Sequence, residues 1–338
     1  MLALKEYISK LFHLTGKADC IMDEINYPSE NTIKMYEEYK SGQMKELKVK
    51  ENGELVRFEE IPHLTSSKQA IGSTAELWFA RSDLKLYLLK SNTMIYDGNG
   101  SSFYTETNCI LVPHIAKQFG LESAKYYLIS CFNEEDVYMV TPDFKPTLST
   151  ELISGTTLVS ETSDGHSAGS FDIRQMLNRI DKNLSLRKFE ENEIEQVKRD
   201  FLKQCFFSKF CYGQDERNDN WGILLDEGHI KIAPLYDYEY CFGNRRVSKI
   251  ERYVGDNKTD LSSFIIEFKD EEWFQEWVEK SFNNLDMNKA FEDAYQDTNV
   301  EISENTRAYY QKLINAKIEE VRTAINSLQK NEKEGEER

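Results

Sequence analysis

Ile194, Val197, Phe201, Cys205 and Phe206 recur at helical spacing, with Leu202 and Phe210 on nearby turns, and the run closes before Gly213. That periodicity predicts an apolar-faced helix ended by a glycine cap. Asn192 with Glu195 three residues on reads as a capping box at its start. Two short β-prone runs come next, Trp221 to Leu225 and His229 to Ala233, separated by Asp226-Glu227-Gly228. Their composition and the turn residues between them predict a hairpin.

Upstream, residues 1 to about 50 read as helical, with a turn at Tyr27 to Asn31. Lys5, Glu6 and Lys10 interrupt the opening apolar stretch, which marks an amphipathic helix rather than a secretory signal. From Leu55 the character shifts towards β, with strands at Glu76–Ala80 and Leu86–Lys90. A helix follows from about Tyr104 to Phe119, closed by Gly120, and Pro113 within it predicts a kink or an early stop. Strands are expected at Ala124–Ile129 and Val137–Val140, and the Ser-, Thr- and Gly-rich stretch 145–170 reads as a connection. Beyond residue 171 the pattern is helical apart from the hairpin, and the last ten residues are almost wholly charged, which predicts an unstructured tail. No internal repeat is evident.

The order of elements therefore predicts an α+β protein in two lobes. Residues 1–60 form a helical extension, 61–144 a small β-rich lobe with one main helix, 145–328 a larger helical lobe, and 329–338 the tail. An extended link near Thr141-Pro142-Asp143 joins the lobes, and a cleft between two such lobes is a favoured place for a nucleotide.

Composition narrows the function. The 338 residues are 40% hydrophobic and 30% charged, as in ordinary globular proteins. A formal charge of −17 argues against direct binding to nucleic acid and against a polybasic membrane anchor. No run approaches the ~18 apolar residues of a membrane span, so a cytoplasmic protein is expected. The six cysteines lack Cys-x-x-Cys spacing, and Cys109, Cys205 and Cys211 fall in apolar helical patterns, as buried free thiols do. The five histidines are scattered without metal-ligand spacing, and no Gly-x-Ser-x-Gly elbow exists.

What remains is a phosphoryl-transfer pattern. Asp215, Asn220 five residues later and Asp237 one hairpin further on form an acidic group. In such a site one carboxylate orients the attacking hydroxyl and takes its proton, while an amide and a second carboxylate hold magnesium against the phosphates of ATP. A hairpin returns the chain to its starting end, so Asp237 is expected beside Asn220. The same residues would also suit a polar helix-to-strand loop. Lys90 ends a strand from which a lysine can reach the α- and β-phosphates, or it is an exposed strand-end lysine. Glu106 lies one turn before Ile110, on the face that packs inward, where a strand lysine is the natural partner for its charge. In an exposed first turn it would instead complement the helix dipole. Gly72 and Ser73 sit in the turn Ser66 to Thr74, whose amides can face phosphates or close an ordinary hairpin.

In order and spacing these blocks resemble the HipA-like serine/threonine kinases, whose sites are related to those of phosphoinositide 3-/4-kinases. The resemblance rests on Leu86 to Lys90 with Tyr104 to Ile110 and Ala116 to Leu121, on Tyr138 to Phe144, and on Asp215 to Gly222 with Ile232 to Asp237. A weaker match from Leu285 to Asn288 is most like the compact CtkA-type members. The resemblance covers roughly residues 60 to 328. It implies a protein-kinase-like fold in which Asp215 is the catalytic base, Asn220 and Asp237 are Mg2+ ligands, Lys90 binds phosphate and Glu106 pairs with it. It also implies that Met139 to Thr141 offer backbone groups to adenine, and that a serine among Ser66, Ser67 and Ser73 is autophosphorylated. Two departures stand out: Glu216-Arg217 follows Asp215 where the family commonly has Arg or His, and no Gly-x-Gly-x-x-Gly is present. The first 60 residues do not resemble the domain through which HipA contacts its antitoxin, so an antitoxin partner is not supported.

The expectation is an ATP- and Mg2+-dependent kinase that phosphorylates Ser or Thr on protein and on itself. Two alternatives keep the same site: a kinase of a lipid or small metabolite, or a nucleotide-binding pseudokinase that works as an interaction module.

Overall fold

The computed structural model describes residues 46–51, 54–59, 76–80, 86–91, 105–130, 137–145, 150–160, 173–211, 220–237, 241–242, 261–298 and 300–336. The chain divides into two compact units. One comprises Met1–Met94, Lys125–Asp143 and Gln296–Asn299, and the other Ile95–Ala124, Phe144–Tyr295 and Val300–Arg338. The expected helices over residues 1 to 45 lie outside the described residues.

In the first unit β1 (Glu46–Glu51) and β2 (Glu54–Glu59) pair antiparallel, so the helical expectation fails over 46–51. Val49 facing Val56 across the ladder is the kind of β-branched pair that favours strands over a helix. A second, antiparallel sheet has the order β3 (Glu76–Ala80), β4 (Leu86–Ser91), β6 (Val137–Pro142), β5 (Tyr127–Ser130). All four strands fall where the sequence pattern put them, to within a few residues. The register sets Lys90 between Glu76 on β3 and Met139 on β6.

The second unit begins with α1 (Thr105–Gln118), which runs unbroken through Pro113. A proline inside a helix costs ~3 kcal/mol in isolation. Here Cys109, Ile110, Leu111, Val112, Ile115 and Ala116 are all at most 2% exposed, and burial on this scale outweighs that cost. The helix ends as Gly120 predicts. Gly120 has φ +69°, its amide donates to the Lys117 carbonyl, and the Leu121 amide donates to the Ala116 carbonyl. That pair of bonds is a Schellman cap.

Next come β7 (Glu151–Ser154), α2 (Gly155–Ser160), α3 (Ile173–Leu186) and α4 (Glu191–Phe210). Helix α4 buries Ile194, Val197, Phe201, Leu202, Phe206 and Phe210, as its periodicity predicts. The capping box does not form: the cap is Glu190, two residues earlier, so Asn192 is already helical and Glu195 pairs instead with Lys198. Glu191 and Glu193 in the first turn complement the helix dipole in its place.

The predicted hairpin is β8 (Gly222–Asp226) and β9 (His229–Ile232), joined by Glu227 (φ 49°) and Gly228 (φ 89°). Two successive left-handed residues make the turn whose twist matches the flanking strands. β7 adds to the free edge of β8, and Ile153, Ile223 and Ile230 of this sheet pack on Ile194, Val197 and Phe201 of α4. Among the described residues α5 (Leu261–Glu267), α6 (Glu272–Asn284), α7 (Met287–Thr298, whose last residues fall in the first unit) and α8 (Glu304–Glu336) follow. The charged end of the chain, expected to be unstructured, is part of α8 as far as Glu336. Asp286 caps α7 by accepting from the amides of Asn288 and Lys289, and its own backbone is bonded in both directions to the Gln118 side chain of α1. Phe119, Phe206, Phe210 and Phe282 pack mostly edge-to-face at centroid separations of 5.0 to 6.2 Å. Among the described residues no helix is long and apolar enough to cross a membrane.

Two predictions follow from the hairpin's construction. A Cβ on Gly222 would sit 2.6 Å from the Ile153 carbonyl oxygen and 2.9 Å from a Leu152 methyl. Gly222→Ala is therefore expected to lose about 1–3 kcal/mol in urea unfolding through overpacking against β7. Gly228→Ala, with nothing within 4 Å but φ +89°, should lose only about 1 kcal/mol. The second concerns His229, whose Nδ1 lies 2.8 Å from Glu193 Oε1. That hydrogen bond, and then the Glu193 charge, raise the imidazole's pKa above its usual 6.5. Because the folded value is the higher, this small contribution is full below pH 6.5 and is lost as pH rises through the folded pKa. An NMR titration should show the raised value in the native chain and its return towards 6.5 in Glu193→Gln.

Candidate functional site

The end of α4 and the hairpin after it set the geometry of the candidate site. Ile223 faces Ile232 in the ladder, and the Ala233 amide donates to the Gly222 carbonyl at 2.8 Å. Asn220, just before β8, and Asp237, just after β9, therefore leave the hairpin at the same end. Both are half-buried and both engage neighbouring groups.

The residues around Asn220 explain why the chain turns there. Trp221 is buried against Phe201 of α4 at a centroid distance of 4.5 Å, and its carbonyl accepts from the Gly155 amide at 2.9 Å. Gly222 admits β7. Two of the three residues Asn220-Trp221-Gly222 thus serve packing, and they hold the Asn220 backbone at the sheet's end.

The approach to Asp237 is held at three successive points. The buried Gln204 of α4 donates from Nε2 to the Ala233 carbonyl at 2.7 Å. Leu235 pairs in parallel with the segment after α1: the Ala124 amide donates to its carbonyl at 2.7 Å, and its amide donates to the Glu122 carbonyl at 2.9 Å. The Tyr236 ring stacks on Phe144, 5.4 Å between centroids and 19° from parallel. Asp237 itself has φ 66°. The left-handed region costs a non-glycine residue about 1–2 kcal/mol, and such strain concentrates where function requires it.

Other expected site residues fall as follows. Lys90 is on β4 and Met139 opposite it on β6. Thr141, also on β6, is buried, and its Oγ1 donates to the Pro142 carbonyl at 3.3 Å. These three belong to the first unit, while Glu106, the second residue of α1, belongs to the second with Asn220 and Asp237. Asp215, Gly72 and Ser73 lie outside the described residues. Among the described residues no three His, Cys, Asp or Glu gather as a metal site. Two oxygen donors such as an Asn and an Asp suit magnesium, which completes its shell with phosphates and water.

Sequence reading passed over Asn108 and Gln204. Each is a polar side chain in an otherwise apolar helical stripe, at 2% and 7% exposure. A buried amide must find partners, so both were legible in principle as contact points to irregular backbone. The cysteine expectation holds in part: among the described residues Cys109, Cys211 and Cys241 are buried and Cys205 half-buried, and none of the four is in a disulfide. Burial pushes the Cys211 thiol well up, which makes it unreactive.

Asp237→Gly and Asp237→Ala separate backbone strain from side-chain chemistry. Glycine accepts φ 66° without penalty. The glycine variant should be the more stable of the two by about 1 kcal/mol in urea unfolding.

Comparison with known proteins places this geometry in a kinase fold. The chain is similar to the Helicobacter pylori proinflammatory kinase CtkA, with a TM-score of 0.52 at 16% identity over 74% of this chain and 94% of that one. A second solved structure is HipA of Shewanella oneidensis MR-1, in a toxin–antitoxin complex with HipB and operator DNA. It aligns at 10% identity with a TM-score of 0.47, covering 91% of this chain and 74% of that one. No protein-family model and no curated protein matches the chain. The resemblance to HipA-like kinases read from the sequence holds at the level of the fold.

Proposed function

We propose that this protein is a kinase of the HipA-like type that transfers the γ-phosphoryl group of ATP, with Mg2+, to serine or threonine hydroxyls on protein, itself included. The observation that carries the reading is Asp237, held in the left-handed region at the end of the hairpin from which Asn220 also emerges. The kinase fold shared with CtkA supports it.

In this reading Asn220 Oδ1 and the Asp237 carboxylate hold Mg2+, which when bound neutralises charge on the phosphates. By the resemblance the Lys90 ammonium, a point charge on a flexible stem, would serve the α- and β-phosphates and Glu106 would be its partner. Backbone groups of Met139 to Thr141 take adenine, and Gly72 and Ser73 cover the phosphates with their amides. Asp215 orients the acceptor hydroxyl and takes its proton as the oxygen bonds to the γ-phosphorus. The bond from that phosphorus to the bridging oxygen breaks, and ADP leaves. Packing of Trp221 and the bonds from Gln204, Glu122 and Ala124 keep Asn220 and Asp237 in place, so little reorganisation is needed when substrate arrives.

The test is incubation of the full chain with γ-labelled ATP and MgCl2, with casein as acceptor and phosphoinositide vesicles in a parallel arm. Label should appear on serine or threonine of protein. Asp237→Asn should abolish transfer, and Asp215→Asn should reduce it by about 10²–10⁴-fold, both without loss of the folded state. Lys90→Ala should weaken ATP binding or turnover. Undiminished labelling in both aspartate variants would defeat the assignment of the site, and label confined to the vesicles would defeat the protein acceptor.

A further inference from the structure

The turn that follows Asp237 is fixed from three directions. Asn108 of α1 donates from Nδ2 to the Cys241 carbonyl. The Phe242 amide donates to the Cys211 carbonyl at 2.8 Å, and the Tyr309 hydroxyl of α8 donates to the Phe242 carbonyl at 3.1 Å. Behind Asn108, the Tyr310 hydroxyl donates to its Oδ1 at 2.6 Å, while the Tyr310 ring packs edge-on against Phe242 at 5.2 Å. Asn108 and Tyr310 are 2% and 1% exposed. With water excluded, such a polar chain is strong when complete and costly when broken.

The position of this turn gives the network its meaning. Phe242 has φ 53°, a conformation that a bulky residue adopts only when its surroundings impose it. The turn lies a few residues after Asp237. Through Cys211 it is bonded to the end of α4, from which the chain enters the stretch containing Asp215. The same turn thus touches the chain behind one proposed site residue and ahead of another. Asn108 also stands two residues after Glu106 on α1. The Lys198, His229 and Lys289 ion pairs lie on the surface and touch none of this.

We propose that Tyr310 and Asn108 form a positioning pair that sets the backbone around Asp237, and so the metal affinity of the site, through the carbonyl of Cys241 and the ring of Phe242. Both are positioning residues: they act on the site through the turn and touch no substrate. The inference rests on the kinase reading above. Partners bonded directly to metal ligands are worth about 10- to 100-fold in affinity or activity when removed, and a pair acting through the turn, as here, belongs at the lower end of that range.

Tyr310→Phe is the decisive variant, because it keeps the ring against Phe242 and deletes only the hydroxyl. In the full chain, Mn2+ binding in the presence of a non-hydrolysable ATP analogue, followed by electron paramagnetic resonance, should weaken about tenfold. The kcat for phosphate transfer should fall in step, the KM for a protein acceptor should hold, and the Phe242 amide should exchange faster. Asn108→Ala should move the same readings further. If Tyr310→Phe does not fold, Tyr309→Phe, which removes the bond to the Phe242 carbonyl and keeps the ring, should show the Mn2+ and exchange effects. Unchanged Mn2+ affinity in a folded variant, whether or not its melting temperature drops, overturns the positioning role while transfer by the unaltered chain leaves the kinase reading standing. Failure of the unaltered chain both to bind Mn2+ with the analogue and to transfer phosphate overturns the kinase reading and this inference with it.

Discussion

Asp237 is held with φ 66°, and the described backbone on both sides of it is bonded to distant parts of the second unit. A residue in that region relaxes unless contacts on both sides prevent it. On the upstream side the chain is bonded at Ala233 and Leu235 and stacked at Tyr236. Downstream it is bonded at Cys241 and Phe242. These contacts come from α1, from the segment after α1, from Phe144, from α4 and from α8, so the backbone on both sides of Asp237 is tied to five pieces of chain distant in sequence.

Helix α4 makes that arrangement affordable in packing terms. One part of its surface buries Ile194, Val197 and Phe201 against the β7–β8–β9 sheet, and its last turns bury Phe206, Phe207 and Phe210 among other aromatic rings. Each such side chain contributes about 1.5–3 kcal/mol of burial. Gln204 lies between the two groups and spends its amide on the Ala233 carbonyl. A rigid helix that is apolar on both sides of one buried amide presents that amide at a defined place, and precision at Asp237 is inherited from it.

The elements that were legible in the sequence are those whose information is local. The hairpin follows from β-prone runs around Glu227-Gly228, and the two left-handed residues of the turn appear where glycine permits one of them. The face of α4 follows from the 3.6-residue period, and the end of α1 from Gly120. The errors share a cause as well. Pro113 and the Asn192–Glu195 box are local signals overridden by burial of α1 and by a helix start two residues earlier. For the candidate site, the hairpin that brings Gly222 and Ala233 together between Asn220 and Asp237 was local enough to read. The Tyr310–Asn108 bond spans 202 residues, and no window of sequence contains both ends.

Charge sets the last constraint on any nucleotide chemistry here. A chain with formal charge −17 repels a polyphosphate as a whole, though at physiological ionic strength that repulsion is screened beyond about 8 Å. Capture of ATP must then come from short-range contacts, and under the proposed reading two acidic groups, Asp215 and Asp237, would have to serve it. Two carboxylates facing a triphosphate are unfavourable unless a divalent cation lies between them. Under the proposed reading, Mg2+ would therefore be a condition for nucleotide binding as well as for transfer, since one lysine ammonium is too small a counter-charge to replace it. Under that reading the backbone constraints at Asp237 would serve the metal: a carboxylate whose backbone is held in place would lose less freedom on binding the cation that offsets the charge of the site.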